Sequence, residues 1–440
     1  MNKTFRIETF GCQMNVGDSE LIRLSMKKNG FIEAGNPDDA DIYIYNTCSV
    51  RDNAEKRALA RISTAKGIGT LKKRLIVVAG CMAQRLGDEL VKKKIANIVI
   101  GPYQSPLLGE ILCEFLRSRK NRLFISQDKD NFAERLTPEL LENRDVEPWH
   151  KWVTITHGCE NFCAYCIVPY VRGRLISFPS GRILKFIKAL ADSGVIEVTI
   201  LGQNVNQYGQ DSGDIPFHAL LEKTASVKGL KRISFMTSHP MDFTEETIHV
   251  INGSSNISRS IHLPMQSGSD RILGAMNRKY TKAHYYSIIE KIDKIIPDYA
   301  ISTDLITGFP GETPAEFNET LKAVKEIKFD EAFMFSYSPR AGTPAYLLKE
   351  TISEKEKASR LHELISVQRE ISLEKLKKRV NNREKVIADK ISKKSDNEVA
   401  GKSFLNHPVV FSGDKNDIGR ETIVEISEVR GSTLFGTKIN

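Results

Sequence analysis

Nowhere in the 440 residues is there an apolar run of about 18 residues, so no membrane-spanning helix is expected. The opening "MNKTFRIETFGC" goes straight into a strand-like alternation and has no apolar core of a secretion signal, which predicts a cytoplasmic protein. No internal repeat or low-complexity tract stands out. Neither sign of charge dominates. Lys plus Arg number 64 against 55 Asp plus Glu, a net +9, and that favours a polyanionic partner only weakly. Cysteine is scarce, with seven in a chain that needs two or three domains. In a reducing compartment these are expected to serve metal or redox chemistry rather than disulfides. Cys113 is the exception, because "SPLLGEILCEFLRSR" has helical apolar spacing and makes it a core residue.

Two stretches of strand–helix alternation are visible. In the first, "TFRIETF", "ADIYIYN", "RLIVVAG" and "ANIVI" read as strands. "DSELIRLSMKKN", "NAEKRALARISTA" and "PLLGEILCEFLRS" read as helices, so the segment predicts a parallel sheet covered by helices. A polar stretch from Arg117 to His150 reads as a linker or crossover. The second alternation carries six candidate strands, "WVTIT", "EVTILG", "KRISFMT", "RSIHLPM", "AISTDLITG" and "AFMFSYS", and predicts a partial (β/α)6 barrel. "SEKEKASRLHELISVQREISLEKLKKR" reads as one long helix opened by a Ser353–Glu356 capping box. After Lys378 the runs "EKVIAD", "HPVVFSG", "ETIVEI" and "TLFGTKI" predict a small all-β, OB-like module.

The cysteines fall into two sets of three. Cys159, Cys163 and Cys166 lie in "GCENFCAYC" on the loop leaving the first barrel strand, where barrel enzymes carry their chemistry. This close spacing lets one loop wrap a corner of a cubic iron–sulfur cluster and leaves one iron open to a small chelating ligand. A zinc knuckle that borrows His157 is the competing reading. Cys12, Cys48 and Cys81 stand far apart, yet each follows a predicted strand of the first sheet. The C-terminal ends of parallel strands share one edge, so the three can converge there. A lone cysteine after a strand is usually core packing; three in successive units favour a second cluster with an open iron. At the barrel strand ends, Gly202, Gln203 and Asn204 of "LGQN" and Gly308, Gly311 and Glu312 of "DLITGFPGE" suit a cofactor cradle, although each glycine alone also reads as a turn. From Lys377 to Asn440 there are 13 Lys plus Arg against 9 Asp plus Glu. "KLKKR" and "KISKK" could meet phosphates or be solvated surface.

The CxxxCxxC spacing resembles that of the radical S-adenosylmethionine enzymes. Together, "ETFGCQMNVGDSE", "NTCSVRDNAEKR", "AGCMAQR", "HGCENFCAYCIVPYVRGR", "LGQNVNQYG", "HLPMQSGSDRILGAMNRKYT", "TDLITGFPGET" and "SYSPRAGTPA" resemble the methylthiotransferases of that group over nearly the whole chain. The resemblance implies an α/β fold of three parts. These are an N-terminal parallel-sheet domain at 3–118, a radical S-adenosylmethionine barrel at about 145–375 and a C-terminal TRAM domain at 378–440. It implies two 4Fe-4S clusters, one on Cys12, Cys48 and Cys81 and one on Cys159, Cys163 and Cys166, with Tyr165 packing on the adenine of S-adenosylmethionine. It also implies that two molecules of S-adenosylmethionine are used. One gives a methyl group to a sulfur at the auxiliary cluster, and the other yields the radical that removes a substrate hydrogen. Implied partners are tRNA, an electron donor such as flavodoxin or ferredoxin, and a sulfur source, with the enzyme a monomer free of membrane. "SFMTSHPMDF" and "ETFGCQMN" resemble the type that modifies C2 of N6-isopentenyladenosine at tRNA position 37. The alternatives are the types acting on threonylcarbamoyladenosine or on a ribosomal-protein aspartate, and a non-enzymatic iron–sulfur RNA-binding sensor. "RGRLISFPSGRI" departs from the family's more charged run, and the TRAM start lacks its usual glycine.

Overall fold

The computed structural model describes residues 3–50, 52–67, 74–120, 122–126 and 148–439. Strands β1 (Thr4–Thr9), β2 (Ile32–Glu33), β3 (Ile42–Thr47), β4 (Leu75–Gly80), β5 (Ile98–Ile100) and β6 (Leu123–Phe124) form a sheet in the order β2-β1-β3-β4-β5-β6. Every pairing in it is parallel. All six residues of β3 are buried, as a central parallel strand covered on both faces requires. Its alternating side chains serve two cores. Ile42 and Ile44 pack with Phe5, Ile22, Val77 and Leu112, while Tyr43 and Tyr45 pack with Ile76, Val78 and Met82. Helices α1 (Gln13–Lys28), α2 (Asp52–Gly67), α3 (Cys81–Lys92) and α4 (Leu108–Ser118) supply the covering layers. The chain order reverses between β1 and β3, and that switch point opens a crevice at the strand C-termini.

Two short strands corrected the expectations. β2 was not read from the sequence. β6 lies inside the stretch read as a linker, and it pairs with β5 as the sheet edge. Residues 127–147 of that stretch lie outside the described residues.

The six expected barrel strands are present. β7 (His150–Thr154) is followed by a two-residue ribbon, β8 (Thr156–His157) with β9 (Ile176–Ser177). Then come β10 (Glu197–Leu201), β11 (Arg232–Phe235), β12 (Ser260–His262), β13 (Ala300–Thr307) and β14 (Glu331–Ser336). They pair in two parallel groups, β7-β10-β11 and β12-β13-β14, joined by a parallel bridge from Ile233 to Ile257. β7 and β14 are edge strands, so the barrel is open on the flank between them. The long helix Glu354–Lys377 is capped by Ser353, whose hydroxyl accepts from the Glu356 amide. The Glu356 carboxylate bonds Arg360 at 2.9 Å, not the cap backbone, so the expected reciprocal box is half formed.

Strands β15 (Arg383–Ile391), β16 (Glu398–Ser403), β17 (Pro408–Ser412), β18 (Glu421–Arg430) and β19 (Thr433–Ile439) close a small barrel, one strand more than the four runs read from sequence. It docks at the N-terminal ends of the large barrel's strands. Arg232 at the start of β11 donates to the Lys402 and Ser403 carbonyls at 2.8 and 3.0 Å while pairing with Glu197. Ser258 before β12 donates to the Phe404 carbonyl at 2.7 Å. The C-terminal strand ends, at the other end of the molecule, are left to the cysteine loops.

Candidate functional site

Cys12 is the N-cap of α1 and Cys81 is the first residue of α3, so both thiols sit at helix N-termini, where the backbone favours negative charge. Gly11 has φ +126°, and a Cβ there would stand 2.4 Å from the Cys48 Cβ; only glycine lets those two cysteines meet. The hydrogen bond from Cys48, helped by the charge of Arg172, brings the Cys12 thiol down to about 6. Burial pushes Cys81 the other way. The switch point is knitted by buried amides. Asn46 Nδ2 donates to the Asn15 carbonyl at 2.7 Å and Asn15 Nδ2 donates to the Thr47 carbonyl at 3.1 Å.

The second cysteine loop leaves β7. Gly158 has φ +77°, and a Cβ there would lie 1.9 Å from the Arg174 carbonyl, so the loop's entry needs glycine as well. The Cys159 amide donates to the Gly173 carbonyl at 3.2 Å, and the Cys166 amide to the Cys163 carbonyl at 2.9 Å. Arg278 Nη1 lies 3.4 Å from Cys163 Sγ. Burial raises the Cys159 thiol to about 11 and raises Cys166 further. Both would be thiolates only when bound to a cation.

A short helix, α5 (Val168–Arg172), joins the two loops. Ile167 and Val171 pack on Cys81. Arg172, 2% exposed, donates from Nε to Cys81 Sγ at 3.2 Å and forms a buried pair with Asp18 of α1. Its own carbonyl accepts from Tyr103 Oη at 3.0 Å. One dipeptide, Arg172–Gly173, therefore contacts a cysteine of each set. Among the described residues no set of three His, Cys, Asp or Glu side chains is gathered closely enough for a single metal ion. Two three-thiol sets fit clusters better, because each thiolate then binds a different iron and the sulfurs stand further apart.

The barrel mouth supplies the second test of fit. At or just past the C-terminal end of each of the six parallel strands is a buried polar atom without a hydrogen-bond partner. They are Thr156 Oγ1, both amide atoms of Gln203, Ser238 Oγ, Gln266 Oε1, Thr307 Oγ1 and Tyr337 Oη. Buried polar atoms are normally paired, so a ring of unpaired ones fits a polar ligand such as S-adenosylmethionine. His239 adds an open Nε2, and burial holds its imidazole neutral by lowering it to about 2. Thr237 and Gln266 both have φ +67°, a strained conformation for side chains of this kind that is found at ligand sites.

The other expected cofactor residues divide. Gly202 lies against Thr156 and Gly308 against Lys357, while Gly311 borders open space near Arg271. Tyr165 packs against the cluster that holds Phe309 and Tyr337 at the mouth. Asn204 caps a local turn and bonds Asp242 at 2.6 Å. Glu312 accepts from the Gly308 amide at 2.8 Å and pairs with Arg360 at 2.7 Å, so it braces its loop from behind. Sequence reasoning missed Arg172, Asp18, Arg278, Ser238 and Gln266. The quoted "PYVRGR" and "MQSGS" runs contain two of them, Arg172 and Gln266, with nothing local to mark their roles.

Comparison with known proteins bears on both halves. Residues 4–101 match the model of the uncharacterized protein family UPF0004, and residues 153–324 match the radical SAM superfamily. Among curated relatives, the tRNA-2-methylthio-N(6)-dimethylallyladenosine synthase of Thermoanaerobacter pseudethanolicus is 42% identical over 99% of this chain and 92% of its own. Proteins of the same name from Clostridium botulinum and Clostridium tetani are 41% and 40% identical, over 99% of this chain and 97% and 96% of theirs. Among solved structures, the radical S-adenosylmethionine methyltransferase TsrM of Kitasatospora setae shares the fold, with TM-score 0.59 and 10% identity over 79% of this chain and 75% of that one.

Proposed function

The chain belongs to the tRNA-2-methylthio-N(6)-dimethylallyladenosine synthases, radical S-adenosylmethionine enzymes that methylthiolate tRNA, and from that premise we propose how its residues divide the work. Three domains, at 3–118, 145–375 and 378–440, carry the auxiliary site, the radical site and the RNA grip. Cys159, Cys163 and Cys166 hold one 4Fe-4S cluster, and Cys12, Cys48 and Cys81 hold a second. When bound, these groups supply a low-potential electron for cleaving the sulfonium of S-adenosylmethionine and a coordinated sulfur able to take its methyl group.

The protein's own part is positioning. Arg172 ties Cys81 to the loop of the radical site, so the two sets of thiolates keep one separation. This bridge is the observation that carries the reading, because a methylthio group made at one site must meet a carbon activated at the other. Gln203, Ser238, Gln266, Thr307 and Tyr337 offer unpaired polar atoms to S-adenosylmethionine, and Tyr165 offers an aromatic face to its adenine. Arg278 fixes Cys163, and Asn277 Nδ2 holds the Phe162 carbonyl at 2.8 Å. Neutral His239 lines the mouth without adding charge.

The substrate base is N6-dimethylallyladenosine at position 37, modified at C2, with two molecules of S-adenosylmethionine used per turnover. The reductant is a flavodoxin or ferredoxin, and a separate donor restores the sulfur. Among the described residues no helix is long and apolar enough to cross a membrane. The test is mass spectrometry of nucleosides from tRNA treated with the reconstituted, reduced protein. The 2-methylthio derivative of N6-dimethylallyladenosine is expected. Its absence, with modification of threonylcarbamoyladenosine or of a ribosomal protein instead, would overturn the assignment.

A further inference from the structure

The inner face of β13 and β14 is built unlike the rest of the barrel. Ala332 and Met334 of β14 pack into the core, and Thr303 of β13 donates to the Leu263 carbonyl at 2.9 Å. The alternate residues therefore point away from the helices and into the lumen. On β14 those residues include Phe333 and Phe335, 39% and 42% exposed. Large aromatics are seldom left so open on an inward face, and these two stand two residues apart on the strand that borders the open flank.

Their neighbours are specific. Across the sheet Asp304 is in register with Phe333, and Ile306 with Phe335. His262 on β12 meets the Phe333 ring edge-on at 6.0 Å and approaches Asp304 Oδ2 with Nε2 at 3.5 Å. Its Nδ1 is engaged by Ser302 Oγ at 3.0 Å. The imidazole thus lies beside one oxygen of Asp304, whose side chain is still 31% exposed. Ile306 packs against the same cluster, with Phe309 and Tyr337, as Tyr165 of the radical loop, so the aromatic face runs up to the reacting end of the barrel. The C-terminal module docks at the opposite end.

We propose that this face is the specificity site for the target base, and that it takes an N6-monoalkylated adenine of a single RNA strand. The proposal rests on the function assigned above and deepens it. An adenine with one alkyl group on N6 has one remaining N6–H and an apolar branched chain. The free oxygen of Asp304 accepts that N–H. Phe333 and Phe335 cover the chain and one face of the base, as aromatic residues do for unstacked bases. Unmodified adenine would leave the two rings uncovered. A dialkylated N6 would leave Asp304 without its donor.

The test uses the cluster-loaded enzyme and three anticodon stem-loop RNAs, whose target base is N6-dimethylallyladenosine, adenosine, or N6-methyl-N6-dimethylallyladenosine. For the parent protein we expect the first RNA to bind about tenfold more tightly than the second, the scale set by burying one branched apolar chain. Phe333→Ala should shrink that ratio to about threefold or less, and Phe333→Leu should fall between. Asp304→Ala should erase the parent's preference for the first RNA over the third. If Phe333→Ala loses cluster iron and is misfolded, Phe333→Leu and Asp304→Ala decide. Parent-like ratios in these variants would overturn the proposal. If the parent still methylthiolates the first RNA in that case, the assigned function survives and only the site is wrong. If the parent modifies none of the RNAs and binds all three equally, the function assignment fails and this proposal falls with it.

Discussion

Replacing Arg172 with Met should open the joint between the two cysteine loops at a cost that can be worked from the structure. Arg172 and Asp18 are 2% and 5% exposed and paired with each other, so the variant leaves a buried carboxylate without its counter-charge. Breaking a buried pair on one side costs about 3–5 kcal/mol. The chain has several domains, so a single unfolding free energy is poorly defined, and the effect is better read locally. Amide exchange in α1 and α3, at whose N-termini Cys12 and Cys81 lie, should speed up by roughly two to four orders of magnitude. The double variant Asp18→Leu with Arg172→Met removes both charges and should recover most of the protection, since an apolar pair of similar volume is often neutral. The defect should also depend on pH. Burial already raises the Asp18 carboxyl, and losing Arg172 raises it further. A carboxyl raised in the folded state loses stability as pH rises above its unfolded value, so the defect is largest near neutrality and shrinks toward pH 4. Acceleration of less than about tenfold in the single variant, or a double variant as labile as the single, would refute the reasoning.

Gln203→Leu should weaken S-adenosylmethionine binding about fivefold by calorimetry, and should raise the melting temperature of the ligand-free protein because an unpaired buried amide is removed. Lys393 and Lys394 are exposed on the C-terminal module. Changing both to Gln should reduce the slope of log affinity for tRNA against log salt by about 1.5. The hydrogen bond from Arg271 draws the Glu316 carboxyl down from 4.5 to about 2. Its contribution to stability is complete above about pH 4.5 and is lost as pH falls through about 2. Acid-unfolding curves of the parent and Arg271→Ala should therefore differ above pH 4.5 and converge below pH 2.

The large elements were legible because their apolar runs are long and uniform. "IYIYN" and "LIVVAG" could only be buried parallel strands, and three cysteines each following such a strand had to reach one sheet edge. β16 escaped notice because "EVAGKS" carries one β-branched residue beside Ala and Gly, and its strand character comes from pairing with β15 and β17. β2 and β6 are two residues long and exist only as edges of a sheet already formed. The Arg172–Asp18 pair spans 154 residues, a separation that no local pattern reports. Ser238, Gln266 and Thr307 are ordinary polar residues in sequence, and their meaning appears only once folding buries them unpaired around one mouth. Glu312 lies in the expected cradle loop, but its carboxylate partners, the Gly308 amide and Arg360, are visible only in the fold.

The central claim is that two separable sites cooperate, one making the methylthio sulfur and the other the radical. It is tested most directly with methyl-labelled S-adenosylmethionine and acid release of labelled methanethiol from three reconstituted proteins. The parent should release it. The Cys159→Ala, Cys163→Ala, Cys166→Ala variant should retain about half the iron and still release methanethiol while failing to cleave S-adenosylmethionine reductively, because methyl transfer to a coordinated sulfur needs no radical. The Cys12→Ala, Cys48→Ala, Cys81→Ala variant should cleave S-adenosylmethionine and release none. Equal methanethiol from that last variant and the parent would contradict the account.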